Sequence, residues 1–177
     1  MSDKLPSRER ALQLLYENGC SVHVVNHCLA VAKIALETAE TLQKKEISVD
    51  TRLVEIGALL HDLGRCKTHS VDHAVVGAEI AELAGLPNPI ISIIKRHVGG
   101  GITAAEAEAL GWSSDDSYQP VTLEEKIVSY ADKLIDDGRR VPVELAIKQL
   151  SKEGFPEAAE RVRKLHDEIA ALIGEQP

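Results

Sequence analysis

Residues 58–65 read ALLHDLGR, at the end of the longer run TRLVEIGALLHDLGR (residues 51–65). Leu53, Ile56, Gly57 and Leu60 recur at helical spacing, and Asp50 stands where a helix N-cap belongs. Gly64 closes the segment as a helix terminator. His61 and Asp62 therefore sit at the end of an apolar helix. Adjacent side chains on a helix point about 100° apart. At a helix end they can still converge on one ion, and the glycine frees space beside them.

Helical punctuation continues in both directions. Upstream, Ser7 can cap a short helix that stops at Gly19. A long helix runs from about Ser21 to Leu42, with Val24, Val31, Ile34, Ala35 and Thr38 on a recurring face. Residues 43–49 are polar and read as a loop. Downstream, Asp72 or His73 begins a helix closed by Gly85, and Asn88–Pro89 opens one that reaches His97. Three glycines follow, Gly99 to Gly101, which could let backbone approach a ligand or hinge a loop over the site. Thr103 caps a short helix ending at Gly111, and residues 112–121 (WSSDDSYQPV) are the longest stretch without periodicity. Thr122 with Glu125 forms a capping box that opens the helix LEEKIVSYADKLID. Two more helices start near Pro142 and Pro156. Alternating β-branched runs with hairpin turns are absent. The expectation is an all-α helical bundle, one domain over residues 1–177, with the helices of 142–173 packed on it.

Bulk properties narrow the function. The 177 residues are 44% hydrophobic and only 3% aromatic, so the core must be aliphatic. A net charge of −8 disfavours long nucleic acid, whose binding rests on Lys and Arg neutralising phosphates. Cys20, Cys28 and Cys66 form no CxxC or zinc-finger spacing. Together with a charged start that lacks an apolar h-region, they lead us to expect a reducing, cytoplasmic setting. Apolar runs fall far short of the roughly 20 residues a membrane span needs.

The chemistry-bearing residues recur in a fixed order: His27 in HCLAVAKIA, His61–Asp62 in ALLHDLGR, and Asp132 in SYADKL. This H…HD…D order, each part on its own helix, resembles the HD superfamily of metal-dependent phosphohydrolases. His73 in DHAVVGAEIA and His97 in IIKRHVGGG resemble the additional histidines of HD branches that bind two metals. Those branches include the HD-GYP phosphodiesterases, whose GYP tripeptide is absent here, and the bacterial symmetrical diadenosine tetraphosphate hydrolases. The run from RCKTHSVDH to EEKIVSYADKLI also resembles a group of small archaeal-type HD proteins. The resemblance covers about residues 25–137. It implies an HD-domain bundle hydrolysing a phosphate ester or anhydride with metal-activated water.

On that basis one ion would take His27, His61, Asp62 and Asp132, and a second His73, His97 and a bridging oxygen of Asp62. Two ions about 3.5–4 Å apart can clamp the attacking and leaving oxygens of a phosphoryl displacement. Four imidazoles with two carboxylates suit Fe or Mn, with Ni, Co or Zn as alternatives. His23, one turn before His27 on the same face, competes for the first-ligand role. Asp62 would orient or deprotonate the water, and Arg65 would carry charge on phosphoryl oxygens. His69, Arg96, Lys133 and Lys67 are further candidates for substrate contact. Trp112 and Tyr118 could stack on a base, whereas His166 reads as a surface residue and Cys66 as no nucleophile. The expected substrate is a small phosphorylated metabolite, in particular a nucleotide, with a dinucleoside polyphosphate suggested by resemblance. The competing readings are a mononuclear nucleotidase or nucleoside triphosphate hydrolase, a di-iron oxygenase, and a nucleotide-binding module without turnover. The protein would be a monomer or homodimer.

Overall fold

The structure is a computed structural model that describes residues 4–113 and 117–174. Its helices begin where the capping residues place them. Ser7 accepts from the Arg10 amide at the start of α1 (Arg8–Glu17), and Ser21 from the Val24 amide at the start of α2 (Val22–Lys44). Asp50 does the same for Leu53 in α3 (Thr51–Leu60). After α4 (His73–Leu83) and α5 (Asn88–Arg96), complete capping boxes open α6 (Ala104–Ala109) and α7 (Leu123–Asp132). The last two helices, α8 (Val143–Lys152) and α9 (Pro156–Ile173), start within one residue of Pro142 and Pro156. Each such side-chain cap is worth about 1 kcal/mol, because it satisfies a backbone N–H that the helix itself leaves unpaired.

Helices α2, α3, α5 and α7 pack around one aliphatic core that includes Leu42, Ile56, Leu59, Ile93 and Ile127, all fully buried. Burying each such side chain contributes about 1.5–3 kcal/mol. Helix α9 lies across α7 and α2 and contributes Val162 and Ile169 to the same core. The glycines 99–101 pack as well: Gly100 lies against the backbone of Arg161 and Val162 in α9, and Gly101 against Gln119 and Pro120. They are a packing joint, not a hinge over the site. Among the described residues, no helix is long and apolar enough to cross a membrane.

One expected element is shorter. The helix anticipated through Asp136 ends at Asp132, and the chain turns into a two-stranded antiparallel hairpin, β1 (Ile135–Asp136) with β2 (Arg139–Arg140). The turn is Asp137–Gly138, with positive φ of 46° and 71°. That is the backbone of a tight hairpin turn, and Asp-Gly is among its strongest sequence signals. The residues after Asp132 thus leave the helix axis and stand at the mouth of the site.

Two glycines dock the HD segment onto α4. A Cβ on Gly64 would lie 2.0 Å from the His73 carbonyl oxygen, and one on Gly77 would lie 2.9 Å from the Gly64 nitrogen. Only backbone without side chains can approach so closely. This contact carries the turn after His61–Asp62 to the first turn of α4, where His73 stands.

Candidate metal centre

His61 is the residue just past α3, and Asp62 follows in the turn before a 3-10 segment, Leu63–Cys66. The tight exit from α3 swings Asp62 off the helical track, so both side chains reach one interior point. His27 comes to that point from α2, Asp132 from the last residue of α7, His73 from the first residue of α4 and His97 from just past α5. Five of the six expected ligands thus stand at or beside helix ends.

Asp62 is the centre of the arrangement. Its Oδ2 lies 3.7 Å from both His27 Nε2 and His61 Nε2. Its Oδ1 lies 3.2 Å from His73 Nε2 and 3.5 Å from His97 Nε2. Asp132 Oδ1 is 3.0 Å from His27 Nε2 and 3.5 Å from His61 Nε2. Each oxygen of Asp62 therefore faces a different pair of imidazoles. Three overlapping sets, His27–His61–Asp62, His61–His97–Asp132 and Asp62–His73–His97, bring ligand atoms within 4.8 Å of one another and could hold metal.

The histidine ring orientations are set from behind. Nδ1 of His61 donates to the Ala58 carbonyl at 2.7 Å, that of His73 to Ser70 at 2.6 Å, and that of His97 to Ile94 at 2.7 Å. A carbonyl can only accept, so in the neutral ring the proton sits on Nδ1 and Nε2 presents a bare lone pair. This backing by carbonyls is typical of metal-ligating histidines. It leaves a problem that a cation solves. His73 Nε2 and His97 Nε2 stand 3.0 Å apart, lone pair toward lone pair. His61 Nε2 and Asp62 Oδ1 are buried and without a hydrogen-bond partner. An unpaired buried polar group costs about 1–3 kcal/mol, more if charged. The donor set thus fits divalent cations: nitrogens and carboxylate oxygens that converge, with His61 Nε2 and Asp62 Oδ1 buried and unsatisfied.

Electrostatics agree. Burial alone would raise the Asp62 carboxyl, but His61, His73 and His97 outweigh it and hold the group well below the usual carboxylate range. Asp132 is likewise held low against burial by Lys133, His27 and His61. Burial pushes His97 down to about 4, and His61 and His73 add to that against the pull of Asp62. For His61 burial also works downward, but Asp62, Cys28 and Asp132 win, and its affinity for a proton is well above ordinary.

The other candidates divide. Arg65 Nε donates to Asp62 Oδ2 at 2.8 Å and Nη1 to the His69 carbonyl at 3.2 Å. Arg65 and His69 line an open cavity of about 260 Å³ whose floor holds His27, Asp62 and Asp132. His23 stands exposed at the rim, while His27 meets Asp132, so His27 takes the inner position. Lys133 pairs with Asp132 Oδ2. Arg96 turns away: Nη1 contacts both oxygens of buried Glu125, at 2.8 and 3.0 Å, and Nε donates to the Ser117 carbonyl. It ties α5 to the start of α7 and does not line the cavity. Trp112 and Tyr118 pack on each other, and Trp112 donates to Asp72, so their faces meet protein; residues 114–116 of that loop lie outside the described set. His166 is half-buried, its Nδ1 paired with the Tyr130 hydroxyl at 2.9 Å, and is no plain surface residue. Asp136 and Asp137 on the cavity wall were not anticipated. The Asp137–Gly138 turn signal could have placed them there.

Similarity to known proteins accords with this geometry. Residues 24–136 match the HD domain family model. An uncharacterized protein of Methanocaldococcus jannaschii is 45% identical over 168 residues, 93% of this chain and 98% of that one. A tRNA (cytidine(56)-2'-O)-methyltransferase of Thermoplasma volcanium is 38% identical over 171 residues, and the chain spans 97% of itself but only 49% of that enzyme's length. In fold, the chain resembles the HD domain of the Listeria monocytogenes phosphodiesterase PgpH in complex with cyclic-di-AMP, with a TM-score of 0.56 at 19% identity over 93% of this chain and 96% of that one. With the motif residues gathered in one centre and the family model matched across it, the chain belongs to the HD-domain family.

Proposed function

We propose that the protein is a metal-dependent phosphohydrolase that cleaves a phosphate ester of a small metabolite, a nucleotide in particular, at a two-ion centre. The carrying observation is the position of Asp62, whose two oxygens face separate pairs of imidazole nitrogens at 3.2–3.7 Å. Asp62 Oδ2 with His27, His61 and Asp132 would hold one ion, and Asp62 Oδ1 with His73 and His97 the other. The mixed nitrogen and oxygen donors suit Fe or Mn, with Ni, Co or Zn as alternatives. Such ions supply an activated water and neutralise charge on the phosphoryl group.

The chain's own residues then have separable tasks. Asp62, ionised and set between the two pairs of imidazoles, would orient the attacking water. Arg65 steadies Asp62 through Nε and has guanidinium donors left for a phosphoryl oxygen. His69, which lines the same cavity, is the candidate to contact the substrate or to donate a proton to the leaving oxygen. Among relatives in fold, the Listeria HD domain holds a cyclic dinucleotide, which supports a nucleotide-type ester as substrate class.

The test is an assay of the Mn- or Fe-loaded protein on a panel of phosphate esters, with ions counted by elemental analysis. Turnover that disappears in Asp62→Ala and about two ions per chain support the reading. One ion per chain replaces it with a mononuclear nucleotidase, and unchanged turnover in the variant overturns the mechanism.

A further inference from the structure

The cavity over the metal centre does not end at its rim. A second cavity of about 310 Å³, lined by His23, Asn26, His27, Asp137 and Gly138, shares His23, His27 and Asp137 with the first. Sharing these residues, the two cavities lie side by side, the inner one reaching Asp62 and Asp132 and the outer one Asn26 on α2 and Gly138 at the tip of the hairpin. Their two ends differ in charge. The inner end carries Arg65 and the metal-binding groups. The outer end is walled by Asp137 and Gly138 at the hairpin tip and by His23 and Asn26 on α2, while Asp136 lines the inner cavity beside Asp137. Among the described residues, no lysine or arginine lines the outer cavity. Of the neighbouring cations, Lys133 pairs with Asp132, Arg139 stands opposite Asp136 across the hairpin, and Arg140 lines a separate cavity with Tyr130 and His166.

That lining selects a chemistry. Carboxylates can only accept hydrogen bonds, so they seek hydroxyl or amino donors. The Asn26 amide both donates and accepts. A further phosphate in the outer cavity would meet the Asp137 carboxylate with no lysine or arginine in the lining, and like charges at contact repel. Resting on the phosphohydrolase reading above, we infer that the outer cleft is a leaving-group subsite for an uncharged, hydroxyl-bearing moiety such as a ribonucleoside. Asp136 and Asp137 accept from its hydroxyls and exclude substrates that carry a chain of further phosphates there. The substrate is then a phosphate monoester of such a moiety, not a polyphosphate. In the hydrolysis, water oxygen bonds to phosphorus, the ester P–O bond breaks, and the leaving oxygen takes a proton to become the free hydroxyl. The products are inorganic phosphate and the nucleoside.

The experiment compares adenosine 5′-monophosphate, its 2′,3′-dideoxy analogue, adenosine triphosphate and a short single-stranded RNA on the Mn-loaded protein, with metal in excess. Both kcat/KM and calorimetric Kd are measured, for the wild type and for Asp136→Asn/Asp137→Asn. The monophosphate should exceed the dideoxy analogue and the triphosphate by at least about tenfold in affinity and in kcat/KM, since hydrogen bonds to charged groups are at stake. In the double variant the triphosphate-to-monophosphate ratio should rise about tenfold. Equal or better use of triphosphate or RNA, or indifference to the missing hydroxyls, overturns the subsite while the hydrolase reading stands. The expected order of affinities without any turnover overturns the hydrolase reading while the subsite stands. Neither binding nor turnover overturns both.

Discussion

Arg65 donates to one oxygen of Asp62 and to the carbonyl of His69, so it props up the central carboxylate and one wall of the mouth together. Groups that orient metal ligands are commonly worth about 10–100-fold in metal affinity or activity. Arg65→Ala should therefore reduce kcat/KM by about that factor and weaken metal binding as well. Arg65→Lys should recover little, because an ammonium has no planar fork to make both contacts. Activity and metal affinity that stay at wild-type values in both variants would place Arg65 outside the mechanism. A second residue-scale expectation concerns pH. His61 must present a bare Nε2 to a cation, yet its proton affinity is well above ordinary when no metal is present. Asp62 and Asp132 are held low and do not compete for protons near neutrality. Metal affinity should therefore fall steadily as pH drops below the raised His61 value, and uptake should release protons. Titration in weak buffer would detect the release, and an affinity constant between about pH 6 and 8 would contradict the expectation.

At the scale of elements, the decisive joint is the backbone contact of Gly64 with Gly77 and His73. It couples the turn that carries Asp62 to the helix that carries His73. A methyl group at Gly64 meets the His73 carbonyl oxygen, which cannot give way without moving α4. Overpacking of this kind costs about 1–3 kcal/mol. In a protein of this size that lowers Tm by about 2–10 °C. If the proposed two-ion centre holds, Gly64→Ala should lose affinity for the ion at His73 and His97 before the other, since His73 is displaced while His27, His61 and Asp132 stay on other elements. Thermal unfolding and metal titration of the variant check both parts; two unshifted binding steps would show that the joint does not position His73. The glycines in HDLG and VVGA stand in the sequence, but their mutual contact does not: it joins residues from two elements at a distance no local pattern encodes.

For the whole molecule, the question is how far the fold would depend on a bound metal. The aliphatic core is continuous from α1 to α9, with Leu15, Leu42, Leu59, Ile94 and Ile169 buried. A chain of 177 residues can bury enough apolar surface to fold without a structural metal. Metal-free protein should keep its helical circular dichroism and unfold cooperatively. Cations nevertheless relieve the buried, unpaired His61 Nε2 and Asp62 Oδ1. At about one hundred times Kd, a ligand stabilises the native state by about 2.7 kcal/mol per site. Adding Mn to chelator-treated protein should thus raise Tm by several degrees, and a Tm indifferent to metal would argue against ligation at this centre.

Much of the architecture was legible in the chain. Asp50, Thr103 and Thr122 cap where expected because capping is a contact of three residues' range. The order His27, His61–Asp62, Asp132 pointed to the family through its resemblance to the HD pattern, which the family model matches over residues 24–136. Tertiary structure decided what depends on remote approach. It turned Arg96 toward Glu125 and away from the cleft, and paired His166 with Tyr130. It ended α7 at Asp132, so that the hairpin brings Asp136 and Asp137 to the mouth. It also split the oxygens of Asp62 between two pairs of imidazoles. The physical reason is range: caps and periodicity act within a turn or two, whereas the aim of a side chain is set by whichever element packs beside it.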